Sequence, residues 1–98
     1  MKRQREKIGL DSIPAFPRHV RLQFSGVRDA WAVLAPERVM WPDDTGLAIL
    51  KRCNGEASVS EIVSGLCVEY DASRSDIEKD VVRFLQDWSD ELLIRCEV

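Results

Sequence analysis

The chain has 98 residues, of which 45% are apolar and 32% charged, and a formal net charge of −3. That length gives one domain with a modest core, too small for a deep catalytic cleft or a flavin or quinone site. The composition is that of a folded globular chain rather than a disordered one, and the mild acidity argues against nucleic acid as the main partner.

The first residues carry Lys2, Arg3, Arg5 and Lys7, then Pro14 and Pro17. Prolines at that spacing disfavour helix and central strand alike. Residues 1–17 are therefore expected to form an arm outside the fold, either flexible or used in oligomer contacts through Ile8, Leu10, Ile13 and Phe16, with a homodimer as one outcome. The basic start lacks the apolar core and cleavage site of a secretory signal, which makes the cytoplasm the expected location.

His19 to Phe24 alternates, with Val20, Leu22 and Phe24 on one face, the period of a half-buried strand. A reversal at Ser25-Gly26 leads to a second strand over Trp31–Leu34. With Ala30 and Ala35 at its margins this is the longest apolar run, too short to span a bilayer. Pro36-Glu37 turns the chain into Val39–Trp41. The pattern predicts a three-stranded antiparallel meander, which is too small to stand without helices against it. Its last strand is short and is expected at an edge, where free N–H and C=O groups must be blunted or used.

Asp43, after Pro42, is placed to cap a helix over about 44–53, with Leu47, Leu50 and Cys53 inward and Asn54-Gly55 as the stop. Gly46 in its first turn reflects either close backbone approach or simple tolerance. Ser58-x-x-Glu61 is a capping box, and Val59, Ile62, Val63, Leu66 and Tyr70 give helix two an apolar stripe. Ser73 or Ser75 caps helix three, whose stripe is Ile77, Val81, Phe84, Leu85, Trp88 and Leu92. Leu92–Ile94 either finish that helix or form a short extended end. The fold class is thus α+β and winged-helix-like, a meander followed by three helices, with the domain over 18–94 and a tail at 95–98.

Winged helices commonly carry a recognition helix into a DNA groove, but the charges here are unsuited to that. Residues 58–70 hold Glu61 and Glu69 and no base; residues 74–90 hold three bases against five acids. Phosphate contact needs the opposite balance. Catalysis has no better footing. Asp43-Asp44 and Asp90-Glu91 sit at helix ends, where capping explains them, and the single histidine, His19, has no serine or cysteine partner nearby. Cys53, Cys67 and Cys96 form no metal-binding spacing and read as small thiols in a reducing compartment. No catalytic, cofactor or metal residues are expected, and the chain reads as a binding module. A winged-helix DNA regulator and a simple dimerisation module are the alternatives. Trp41, on an edge strand opposite Met40, either covers helix three or awaits a ligand.

Several separated stretches together resemble the PqqD family: Arg21-Leu22-Gln23, Leu34-Ala35-Pro36-Glu37, and Asn54-Gly55-Glu56 leading into Ser58-x-x-Glu61-Ile62-Val63. The similarity runs from about Pro17 to Gln86. It implies a non-enzymatic peptide chaperone of pyrroloquinoline quinone biosynthesis, a precursor-peptide recognition element. Such a domain binds the precursor peptide PqqA and presents it to the radical S-adenosylmethionine enzyme PqqE, without holding a cofactor itself. In relatives the peptide adds as a strand beside the third strand of the meander. Carried onto this chain, that site comprises Arg38, Val39, Met40 and Trp41 at the edge, with Val81, Phe84, Leu85 and Trp88 as the cleft wall. Arg83, with Lys79, is available to an acidic peptide residue or to Asp80 and Asp87 of its own helix. Two features depart from the family pattern: Trp41-Pro42 at the strand end, and a C-terminal SDELLIRCEV without a glycine.

Overall fold

The computed structural model describes residues 7–97. Its elements run β1 (Ile13–Ala15), β2 (Arg21–Ser25), β3 (Ala30–Ala35), β4 (Arg38–Met40), α1 (Asp44–Leu50), α2 (Val59–Tyr70), α3 (Arg74–Asp90) and β5 (Arg95–Glu97). The predicted meander is present as the sheet β2-β3-β4, with Leu22 opposite Val33 and Val33 opposite Met40. Those three side chains face the helices, and Val33 is fully buried. Phe24 shares their strand face by alternation but is 45% exposed. It meets Trp31 edge-on at 5.6 Å, and Lys51, at the end of α1, places its ammonium 4.7 Å from the Trp31 ring. The outer end of the sheet therefore packs on a helix cap instead of the core.

The first two helices begin where their caps place them, whereas Ser73 holds the N-cap position of α3 without a side-chain capping bond. Asp43 accepts from Gly46 N at 2.7 Å, and Ser58 and Glu61 form the reciprocal capping box. Helix α1 stops at Leu50, three residues short of the predicted Cys53, though Cys53 is buried as expected. Ile49, Leu50, Val59, Ile62, Val63, Leu66, Val81 and Leu85 form the centre of the core. Tyr70 and Leu92, expected in it, are exposed. Tyr70 is the last residue of α2, and α3 ends at Asp90, so both lie at or beyond the end of their stripe. Leu92 instead adopts φ 64°, and the buried positions pass to Leu93 and Ile94.

Residues 8–16 and 95–97 are integrated into the fold, contrary to the division expected from the prolines; the expectation for residues 1–6 lies outside the described residues. β1 pairs with β5, Pro14 opposite Cys96, in a two-stranded sheet where a proline removes no central ladder. Ile8 is only 5% exposed and belongs to the core. The carbonyls of this segment have a defined use: Leu10 O and Ser12 O accept from Ser60 N and Val59 N at 3.0 and 2.8 Å. With Ser58 Oγ serving Glu61 N, the otherwise orphaned donors of the first turn of α2 are all satisfied.

Candidate functional site

β4 pairs only with β3, so its other edge is free among the described residues. Pro36 and Glu37 make a two-residue turn between the closing pair Ala35 and Arg38. The closing pair of such a hairpin is hydrogen-bonded, and bonded and non-bonded pairs alternate along an antiparallel ladder. The N–H and C=O of Val39 therefore point away from β3, toward the free edge. Val39 is 56% exposed and Trp41 44%, while Met40 packs onto the core. The Arg28 guanidinium lies 5.0 Å from the Trp41 ring, a cation–π contact that ties the indole to the turn between β2 and β3.

The residues expected as the facing wall lie on α3. Phe84 and Trp88, one turn apart, stack at 5.1 Å and 24° and are both half-buried. Phe84 also closes against the first turn of α1, where a Cβ on Gly46 would stand 2.9 Å from its ring. Of the two explanations for this glycine, close approach is the one present, although the neighbour is a side chain and not backbone. Arg38 spans from β4 to the end of α3, with Nη1 3.3 Å from Glu91 Oε1. Both partners are about half exposed, so the pair guides more than it stabilises.

The remaining sequence-derived residues are placed differently. Val81 and Leu85 are 1% and 0% exposed; they support Phe84 and Trp88 from within the core and are not part of the outer surface beside β4. Arg83 is exposed and lines a separate groove with Lys7, Lys79 and Asp87 on another side of α3. Glu91 and Arg28 were not foreseen. Glu91 reads in sequence as one more helix-end acid, and Arg28 as a turn residue, since neither long-range contact leaves a local mark. Cys53 is the strongly perturbed thiol: burial, with a smaller contribution from Cys96, pushes it up to about 12. It lies in the core, away from this cleft. Among the described residues no three His, Cys, Asp or Glu side chains are grouped to hold a metal ion, and no helix is long and apolar enough to cross a membrane.

Residues 30–94 match the family model described as coenzyme PQQ synthesis protein D. The chain belongs to the PqqD family. A "PqqA binding protein" of Rhodopseudomonas palustris strain BisB5 is 49% identical over 79 residues, covering 81% of this chain and 78% of that one. One from Xanthomonas campestris pv. campestris strain B100 is 42% identical over 88 residues, 90% and 96% of the two chains. Among solved structures, the PqqD truncation of Methylobacterium extorquens PqqCD, in solution a stand-alone RiPP recognition element, gives a TM-score of 0.75 at 35% identity, covering 90% of this chain and 94% of that one. The crystal structure of PqqD from Xanthomonas campestris gives 0.53 at 41% identity, covering 88% and 97%. Within the PqqD family this chain thus keeps the α+β meander and three helices, with β4 as one of the two edges of the meander.

Proposed function

We propose that this chain is a non-catalytic peptide chaperone of pyrroloquinoline quinone biosynthesis that binds PqqA along β4 and presents it to the radical enzyme PqqE in the cytoplasm. The observation that carries the reading is the free edge of β4, which Arg38 ties to the end of α3 through Glu91, in a family whose curated relatives are PqqA binding proteins. Strand addition uses backbone bonds for register and side-chain pockets for selectivity. Ordering about five peptide residues costs on the order of 5–10 kcal/mol, whereas each new backbone bond returns only about 1 kcal/mol net. Apolar burial must supply the difference, and the stacked Phe84–Trp88 pair is the surface proposed for it. Arg38, Met40 and Trp41 frame the edge. Arg83, in its separate groove, is left for contacts outside the cleft.

A labelled-protein NMR titration with PqqA tests this. Amide shifts at Val39–Trp41 together with ring shifts at Phe84 and Trp88 are the expected result; shifts confined to α2 would sink the assignment. Presentation is tested separately, by whether PqqE co-elutes with the protein–PqqA complex.

A further inference from the structure

Next to this cleft lies a second cavity that the strand-addition reading does not use. It has a volume of about 230 Å³ and opens between α1, α2 and α3. Its walls are apolar, made by Ile49, Leu66, Ile77 and Val81, and its mouth carries Tyr70 and Asp80. Pockets for whole small molecules run to roughly 300–1,000 Å³, so this one is sized for a side chain. Asp80 makes no ion pair or hydrogen bond among the described residues. Asp44 flanks Tyr70 on the other side, while Glu69 is already taken by Arg52 at 3.1 Å. The surroundings reinforce the sign, because from residue 42 onward the chain holds 13 acidic and 6 basic residues.

Resting on the reading of the β4–α3 cleft as the PqqA site, we propose that this cavity takes a lysine or arginine of the same bound peptide, its aliphatic stem against Ile49, Leu66 and Val81 and its cationic head at Asp80. An apolar slot with an unpaired carboxylate at its mouth suits a side chain that is greasy along its length and charged at its tip. The position agrees. Asp80 lies one helical turn before Phe84, about 6 Å along α3, and an extended peptide covers that distance in about two residues. The basic residue therefore sits about two positions beyond the segment that touches Phe84, and it fixes the register that ladder bonds alone leave open.

The test uses the full chain and synthetic full-length PqqA. Methyl resonances of Ile49, Leu66, Ile77 and Val81 are expected to shift on titration with the same midpoint as the Val39 amide. Asp80→Asn should weaken binding about 3-fold and Asp80→Lys about 10-fold, the range for a solvent-accessible pair. One PqqA variant with a lysine or arginine replaced by glutamate should bind Asp80→Lys better than wild type. Asp80 is exposed, so these variants keep the fold, which amide spectra verify. Unmoved methyls with intact binding, wild-type affinity in Asp80→Lys, or no charge-swap rescue across the basic positions would each overturn the proposal. Failure of wild-type protein to bind PqqA at all would instead remove the underlying function.

Discussion

Gly46 and Phe84 meet across the end of the cleft, so closely that a methyl group on Gly46 would lie 2.9 Å from Phe84 Cε2 and 3.1 Å from Asp43 Oδ1. The second distance matters because Asp43 Oδ1 is the acceptor that caps α1. Gly46→Ala gains about 1 kcal/mol of helix propensity but must displace a ring that is stacked on Trp88 and disturb the cap, an overpacking cost of about 1–3 kcal/mol. The expected result is net destabilisation by up to about 2 kcal/mol in urea titration, with PqqA affinity reduced because Phe84 moves. Adding Phe84→Leu should recover part of the stability and none of the affinity.

Val39→Pro separates the free edge from the rest of the sheet. The N–H of Val39 points away from β3, so proline there removes a donor for an incoming strand and leaves the β3–β4 ladder intact, the one strand position where proline is tolerated. PqqA affinity should fall more than about 10-fold as the register-setting bond and the exposed valine surface are lost together, while amide spectra of the helices stay as in wild type. Unchanged affinity would remove strand addition as the binding mode.

Leu92 closes α3 in a position that normally belongs to glycine. Leu93 N donates to Trp88 O at 2.9 Å and Leu92 N to Ser89 O at 3.0 Å, with Leu92 at φ 64°. These are the two bonds of a Schellman motif with its left-handed residue at Leu92. A β-carbon there costs roughly 1–2 kcal/mol, and Leu92 is 57% exposed, so little packing offsets it. Leu92→Gly should raise stability by about 1 kcal/mol, read as a shift in the urea midpoint with unchanged slope.

That motif also shows what was legible in the chain and what was not. Caps are local, so Asp43 and the Ser58–Glu61 box placed two helix starts from sequence, and strand alternation placed the β2-β3-β4 meander. The end of α3 was not legible because no glycine marked it. β1 and β5 were hidden for a different reason: each has three residues, one contains Pro14, and they pair across some eighty positions of chain. In the cleft, periodicity identified the inward stripe of α3 but could not divide it, since Val81 and Leu85 share that stripe with Phe84 and Trp88. Only the position of the sheet decides which pair is core and which is surface.

Ile8 tests the integration of the N-terminal segment. It is 5% exposed, and its N–H donates to Gln86 Oε1 at 2.9 Å, fastening the segment to α3. Truncating such a side chain removes buried surface and leaves a cavity, so Ile8→Ala should cost about 2–4 kcal/mol, a large part of the total stability of a small domain. Hydrogen exchange should quicken at Val59 and Ser60, whose donors rely on Ser12 O and Leu10 O. A free arm would show neither effect.

Cys53 makes stability fall in alkali. Its thiol, at 9.0 when unperturbed, is raised to about 12 by burial first and by Cys96 second. Below pH 9 the thiol is protonated in both folded and unfolded chains, and its share of stability is fully present. Between pH 9 and 12 the unfolded chain ionises while the native core keeps the proton, so stability drops by about 1.4 kcal/mol per pH unit. Other groups titrate in the same window, which makes the informative quantity the difference between wild type and Cys53→Ala. The variant should start less stable, having lost a buried sulfur, and its deficit should shrink steadily from pH 9 upward. A deficit independent of pH would mean that Cys53 ionises as readily in the fold as outside it. The same burial predicts that iodoacetamide at pH 8 modifies Cys53 no faster than the protein unfolds, because only a thiolate with access to solvent reacts.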